Sequence, residues 1–307
     1  MSGLVSSLTV TAIGLASKAL LSLGYCRSVT VNGFHHLVDA LHREERNNGR
    51  GVITMCNHIS TLDDPVVWGI LPTQYYWNTR TTRWVLGASD IIFTNPVFST
   101  FFRNGQVLET FRGKGIFQPA VDRAIEKLDK GDWVHLFGEG KVNQPAKLAP
   151  REGEQVIPVS QHHANLLRFK WGVGRIIMEA KKPPLILPMW ITGFDELMPE
   201  GRKFPFKFLP RRGVDLSITF GAPIQHDEMK SALTSSQISK LSPDHTVFSD
   251  AVEHESSVKT EQGWLGGTHV DARSPLEVER IRSLVTAIVQ RRVEALGKEV
   301  AERTLKM

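Results

Sequence analysis

The chain of 307 residues is 41% hydrophobic and 22% charged, the make-up of a folded protein with one large domain or two small ones. A net charge of +5 and a pI near 9.2 suit an anionic partner. Without zinc-finger spacing or an RNA-binding signature, that partner is a membrane surface rather than a nucleic acid. Two cysteines, Cys26 and Cys56, exclude a disulfide framework.

From Gly3 to Gly24 the only charge is Lys18, and the run carries Leu4, Leu8, Leu15 and Leu20. Its length is close to that of a membrane span, although Ser and Thr dilute it. No basic residue precedes it, as a secretory signal would require, and it is not Arg-rich like a cleaved presequence. Residues 1–25 are therefore expected to be a retained membrane anchor, lying in the interface or crossing; the competing reading is a buried N-terminal helix.

Beyond it, residues 26–225 alternate apolar runs with helical patterns. Strands are expected at 51–56, 84–88, 106–111, 133–137, 185–191 and 214–220. Helices are expected from Pro65 to Leu71, over 119–129 and near 165–180. The last mixes Arg168, Lys170 and Arg175 with apolar residues and fits either an interface or a core. The expected fold is α/β, a single domain with a mixed, mostly buried sheet flanked by helices. Residues 144–163 read as a loop. Residues 226–275 read as a polar, poorly ordered insert, and 276–307 as a C-terminal amphipathic helix with a stripe from Leu276 to Val293.

Three strand-to-loop junctions carry chemistry. The first, Cys56-Asn57-His58-Ile59-Ser60-Thr61-Leu62-Asp63-Asp64-Pro65, follows the first strand. If its turn folds back, Asp63 can accept from one imidazole nitrogen of His58 and leave the other free to take a proton. The spacing alone is weak, since His245 and Asp250 repeat it in a polar stretch, and Ser60 or Asp63 also suits a helix cap near Pro65. A metal site from His58, Asp63 and Asp64 lacks further ligands at recognisable spacing, and a buried Cys56 is a poor nucleophile. The second junction is Arg112-Gly113-Lys114-Gly115, where Arg112 suits a phosphate and the glycines admit a bulky anion. The third is Phe137-Gly138-Glu139-Gly140, where Glu139 suits orienting Arg112 or a substrate hydroxyl. Taken singly, both also read as plain surface turns.

Together and in this order the three junctions resemble the glycerolipid acyltransferase superfamily. Within it, Trp68-Gly69-Ile70-Leu71, Lys141-Val142-Asn143 and Leu167-Arg168-Phe169-Lys170-Trp171-Gly172 are similar to the tafazzin family of mitochondrial phospholipid–lysophospholipid transacylases. The likeness covers residues 3–225 and departs in two places: Gly138 stands where the family has Pro, and 144–163 resembles an insertion. It implies that His58 is general base, with Asp63 holding its tautomer. It also implies that Arg112, Gly113, Gly115, Glu139 and Gly140 bind the glycerophosphate portion, and that Asn57 and Ser60 position His58 or face the oxyanion. The implied reaction moves an acyl chain between lipids without coenzyme A or any cofactor, remodels cardiolipin from monolysocardiolipin, and belongs to mitochondrial membranes, outer and inner, facing the intermembrane space. An acyl-CoA-dependent enzyme of the superfamily and an inactive membrane-binding protein are the alternatives. A homo-oligomer is compatible with this. Phe204 and Phe206, interleaved with basic residues at 201–212, suit a second membrane contact.

Overall fold

The six expected apolar runs become strands of one sheet. The structure, a computed structural model, describes residues 3–144, 166–204, 206, 209–234, 263–264 and 275–306. The strands are Val52–Cys56 (β2), Arg83–Ala88 (β3), Val107–Thr110 (β4), Trp133–Phe137 (β5), Leu185–Thr192 (β6) and Asp215–Phe220 (β7). Ser28–Asn32 (β1) joins them without having been expected. It is an edge strand, almost wholly exposed, whose only apolar residues are Val29 and Val31. The order is β1-β7-β6-β2-β5-β3-β4, parallel throughout except for the antiparallel β6–β7 pair. The sheet is therefore mixed.

Strand side chains alternate, so each central strand feeds two cores. Ile53 and Met55 of β2, Val134 and Leu136 of β5, and Ile186 and Trp190 of β6 point to one face. Pro119–Asp129 (α6), Gly172–Glu179 (α7) and Pro275–Leu305 (α10) cover that face. The opposite face gathers Val52, Cys56, Trp133, Leu187, Met189 and Ile191 under Phe34–His42 (α2) and the segment that begins with Asp63–Val67 (α3). Other helices among the described residues include Ser89–Ile92 (α4), Pro96–Asn104 (α5), Phe194–Leu197 (α8) and His226–Thr234 (α9).

Two expectations about helices change. The stretch from Leu166 to Trp171 is not helical, because its amides are used elsewhere: Leu167 N–H donates to Glu139, Phe169 N–H to Gln290, and Lys170 N–H to the Gly138 carbonyl. The helix that follows buries Val173, Ile176 and Ile177, so it is a core element and not an interfacial one. The polar 226–275 segment begins with helix α9. Nearly all of its remainder, and 145–163 of the expected loop, lie outside the described residues, as do His245 and Asp250.

Gly3–Ser22 (α1) is apolar and, at 20 residues, about 30 Å long, enough by length and composition to cross a membrane. It packs along α3, α5 and the turns between Trp68 and Trp77. Its buried edge is Val10, Thr11, Gly14, Ser17 and Leu21, while Leu4, Val5, Leu8 and Leu15 are exposed. A Cβ on Gly14 would lie 2.6 Å from the Tyr76 ring, and one on Gly69 would lie 2.6 Å from the Ser17 carbonyl carbon. Gly14 and Ser17 thus allow close contact on the protein side, while Leu4, Leu8 and Leu15 face out. Lys18 is half-buried, and Leu20 packs against the core and not outward.

α7 meets α10 at Gly174, where a Cβ would come within 2.3 Å of the Arg282 carbonyl oxygen. Alanine at this helical position would gain about 1 kcal/mol of propensity, but a backbone oxygen cannot move aside, and overpacking costs about 1–3 kcal/mol. Gly174→Ala should therefore lower the denaturation midpoint; an unchanged or higher midpoint would mean the helices separate without cost.

Behind the sheet edge, Trp133 Nε1–H donates to Thr54 Oγ1 at 2.8 Å, and Thr54 Oγ1 lies 2.8 Å from His135 Nδ1. Burial is the main cause that lowers the His135 pKa to about 3. The unfolded imidazole titrates near 6.5, so between these values the unfolded chain binds a proton that the native state refuses, and stability falls with acid. From pH 7 to pH 5 this group removes about 2 kcal/mol. The stability advantage of the wild type over His135→Gln should shrink by that amount in chemical denaturation at the two pH values.

Candidate active site

The register of β2 and β5 brings the two polar junctions together. Cys56 lies opposite Phe137, so His58 and Glu139, each two residues further on, leave the same sheet edge side by side. His58 N–H donates to Glu139 Oε1 at 3.0 Å, and Asn143 N–H donates to the His58 carbonyl at 2.6 Å. The Phe137–Asn143 turn therefore grips both backbone polar groups of the histidine.

The turn after His58 folds back as expected. His58 Nδ1 lies 2.9 Å from Asp63 Oδ2, and the same oxygen accepts from Ile59 N–H at 2.7 Å and Ser60 N–H at 2.8 Å. Nε2 makes no hydrogen bond among the described residues, and the His58 side chain is 19% exposed. The helix-cap reading does not hold. Leu62 occupies the N-cap of α3 without a side-chain cap, and Asp63 binds amides that precede it in the chain. Ser60 is fully buried, its Oγ accepting from Leu62 N–H at 3.2 Å. Burial pushes the Asp63 carboxyl up, against the pull of His58 and the Ser60 and Ile59 amides. Its second oxygen is buried without a partner among the described residues.

Phe137 is a site residue that spacing does not reveal. Its ring stacks on the His58 imidazole at 4.1 Å between centroids and 22° between planes. His135 also meets the Phe137 ring, perpendicular to it at 4.5 Å between centroids. Together with the Asp63 bond, this fixes both the plane and the tilt of the His58 ring.

Glu139 is placed differently from expectation. It is 1% exposed, and both oxygens are used inside the protein: Oε1 by His58 N–H, Oε2 by Leu167 N–H and Asn143 Nδ2, each at 2.9 Å. It therefore neither orients Arg112 nor meets a substrate hydroxyl. Burial raises its pKa, opposed first by the Leu167 and His58 amides. Asn57 is also engaged within the protein. Its Oδ1 accepts from Ile191 N–H and its Nδ2 donates to the Ile191 carbonyl, each at 2.9 Å, so the side chain supplies a rung between β2 and β6. Asp64 pairs with Arg83 and accepts from Trp68 Nε1; burial opposes its charge, yet Arg83 holds its pKa below the usual value. Burial pushes the Cys56 thiol well up, which leaves it unreactive.

Arg112 stands apart from this cluster. It is exposed and pairs with Asp90 at 3.3 Å. Gly113 and Gly115 have φ of +78° and +71° with open space where a Cβ would be, and Gln118 closes the turn by accepting from Phe111 N–H at 2.8 Å. The two glycines serve the turn's left-handed backbone. Gly140, φ +69°, does the same beside the Lys170 side chain. At Gly138 a Cβ would sit 2.4 Å from the Phe169 ring, which packs against this turn. Phe204 and Phe206 are exposed.

The resemblance read from the motifs holds on comparison with known proteins. An acyltransferase family profile matches residues 38–192. Tafazzin of Drosophila melanogaster is 37% identical over 220 residues, which is 72% of this chain and 51% of that protein. Taffazin of Dictyostelium discoideum is 34% identical over 223 residues, 71% of this chain and 69% of its own length. An N-acylphosphatidylethanolamine synthase of Arabidopsis thaliana is 34% identical over 231 residues, 74% and 73%. The chain thus spans about half the length of the fly relative and over two thirds of the other two. It belongs to the acyltransferase family, among the relatives of the tafazzins.

Proposed function

We propose that this chain is a membrane-associated transacylase that moves an acyl chain from a phospholipid to a lysophospholipid without coenzyme A, with monolysocardiolipin as an acceptor. The observation that carries this is the His58–Asp63 pair at the sheet edge, with Nδ1 held and Nε2 open. Nε2 removes the proton from the acceptor hydroxyl as its oxygen attacks the donor ester carbonyl. The tetrahedral intermediate then collapses and expels the donor's glycerol oxygen, to which His58 returns the proton. One ester forms and one breaks, so no activated acyl carrier is needed. Asp63 stabilises the transient imidazolium, and Phe137 and Glu139 hold its geometry. Arg112 is the candidate for a lipid phosphate, released from Asp90.

The outward leucines of α1, with Phe204 and Phe206, support a bilayer as the place of reaction. Docked from Ser6 to Leu21 on the domain, α1 suits lying in the interface better than crossing it. Mitochondrial membranes are the proposed location, by likeness to the tafazzins. The plant relative motivates a second reading, in which the acceptor is the amine of phosphatidylethanolamine and the product an amide. An acyl-CoA donor is the third.

Purified protein given phosphatidylcholine and monolysocardiolipin, with no acyl-CoA, should form cardiolipin. Dependence on acyl-CoA, or an alkali-stable amide made from phosphatidylethanolamine, would select one of the other readings. His58→Ala should lose about 10²–10⁴-fold in rate. Asp63→Asn should lose a similar factor while keeping its denaturation midpoint at pH 7, because the amide retains an acceptor and removes a buried charge.

Glu139→Gln separates a strut from a substrate ligand. The amide replaces one acceptor by a donor facing N–H groups, an unmatched contact costing about 1–3 kcal/mol. The expected result is a lower denaturation midpoint and a lower kcat, with KM for both lipids unchanged. A rise in KM alone would return Glu139 to substrate binding.

A further inference from the structure

α5 is built inside out, in the same sense as α1. It buries Ser99 and Asn104 and exposes Val97 (75%), Phe98 (51%) and Phe101. It is well formed, with Asn95 capping it through Phe98 N–H at 2.9 Å, so the exposure is not that of a frayed end. In water the burial would be expected the other way round. α1 and α5 adjoin: Ser6 Oγ donates to the Asn104 carbonyl, and Ile13 lies beside Gly105. The outward leucines of α1 thus continue into the outward face of α5.

The parallel sheet adds a second observation. His58 follows the C-terminal end of β2 and Glu139 that of β5. The C-terminal end of β3 leads into α4, with Ile91 exposed, and that of β4 leads into the 111–117 turn, with Phe111 and Phe117 exposed. The base and these apolar tips share one sheet edge. The charges between them suit an interface: Arg103 pairs with Glu109, Arg112 with Asp90, and Lys114 Nζ lies 5.0 Å above the Phe111 ring.

We infer that Ile91, Val97, Phe98, Phe101, Phe111 and Phe117 form a further membrane-inserting surface, which seats the active-site edge on a phospholipid bilayer. This rests on the membrane-associated reading above and adds to it the face that meets the lipid. Inverted burial in two adjoining helices, one of them long enough to cross a bilayer, fits lipid as the occupant.

An environment-sensitive dye on single introduced cysteines of the full chain tests this, since Cys26 and Cys56 are buried. The sites are Phe98→Cys for the proposed surface, Leu8→Cys for α1, and Lys130→Cys at the opposite edge of the sheet. On vesicles of phosphatidylcholine and cardiolipin, the dyes at 98 and 8 should shift to the blue and be quenched by nitroxide-labelled acyl chains, and the dye at 130 should not. A response at 8 without one at 98 overturns this inference and leaves the membrane reading standing. Silence at both overturns the two together. A shift at 98 that grows with protein concentration in the absence of vesicles overturns it in favour of a second copy of the chain.

Discussion

The geometry of the site depends on a carboxylate that does not touch the reacting groups. Glu139 is buried at the point where the β2 turn, the β5 turn and the 166–170 segment converge, and it bonds to all three. Burying an ionised carboxylate is costly unless its lone pairs are filled, and here three N–H groups fill them. Those same N–H groups would otherwise be orphaned, because none lies in a helix or a sheet ladder. Charge and backbone thus satisfy each other, and the histidine's main chain is fixed before any substrate arrives. With that anchor in place, Asp63 and Phe137 need only orient a ring.

Asp63 follows similar logic on a smaller scale. One oxygen takes three donors, two from backbone and one from His58, while the other has none among the described residues. The turn's backbone and the imidazole therefore share one acceptor. Orientation of the imidazole and closure of the turn are a single interaction, which is why Asp63 is not available for a helix cap.

His58 and Asp63 were legible in the sequence because their pairing is local, within one turn. The strands were legible because buried parallel strands are continuous apolar runs. Glu139 and Asn57 were recognisable as residues but not as roles, since their partners lie far along the chain: Leu167 for one, Ile191 for the other. Phe137 was hidden because a phenylalanine ending a strand looks like core, and only the register of β2 and β5 turns it toward His58. β1 was hidden because an edge strand that turns only Val29 toward the core has no apolar run, and its pairing with β7 is made by backbone and by polar pairs, Ser28 with Asp215 and Asn32 with Thr219. The non-helical stretch before α7 was hidden because its amides are claimed by groups in other elements.

The exposed apolar side was half legible for a similar reason. The composition of α1 showed that it is apolar, but which edge packs is set by Gly14 and Gly69 approaching Tyr76 and Ser17. Once Thr11, Gly14 and Ser17 line the protein side, Leu4, Leu8 and Leu15 are left on the outside. The same choice recurs in α5, where Ser99 and Asn104 go in and the phenylalanines go out. A parallel sheet then does the rest, because every β–α junction among β2, β3, β4 and β5 emerges at one edge. Under the proposed function, with two lipid substrates and His58 as base, a base emerging at that same edge would need no separate channel: a bilayer could deliver donor and acceptor to it from one side.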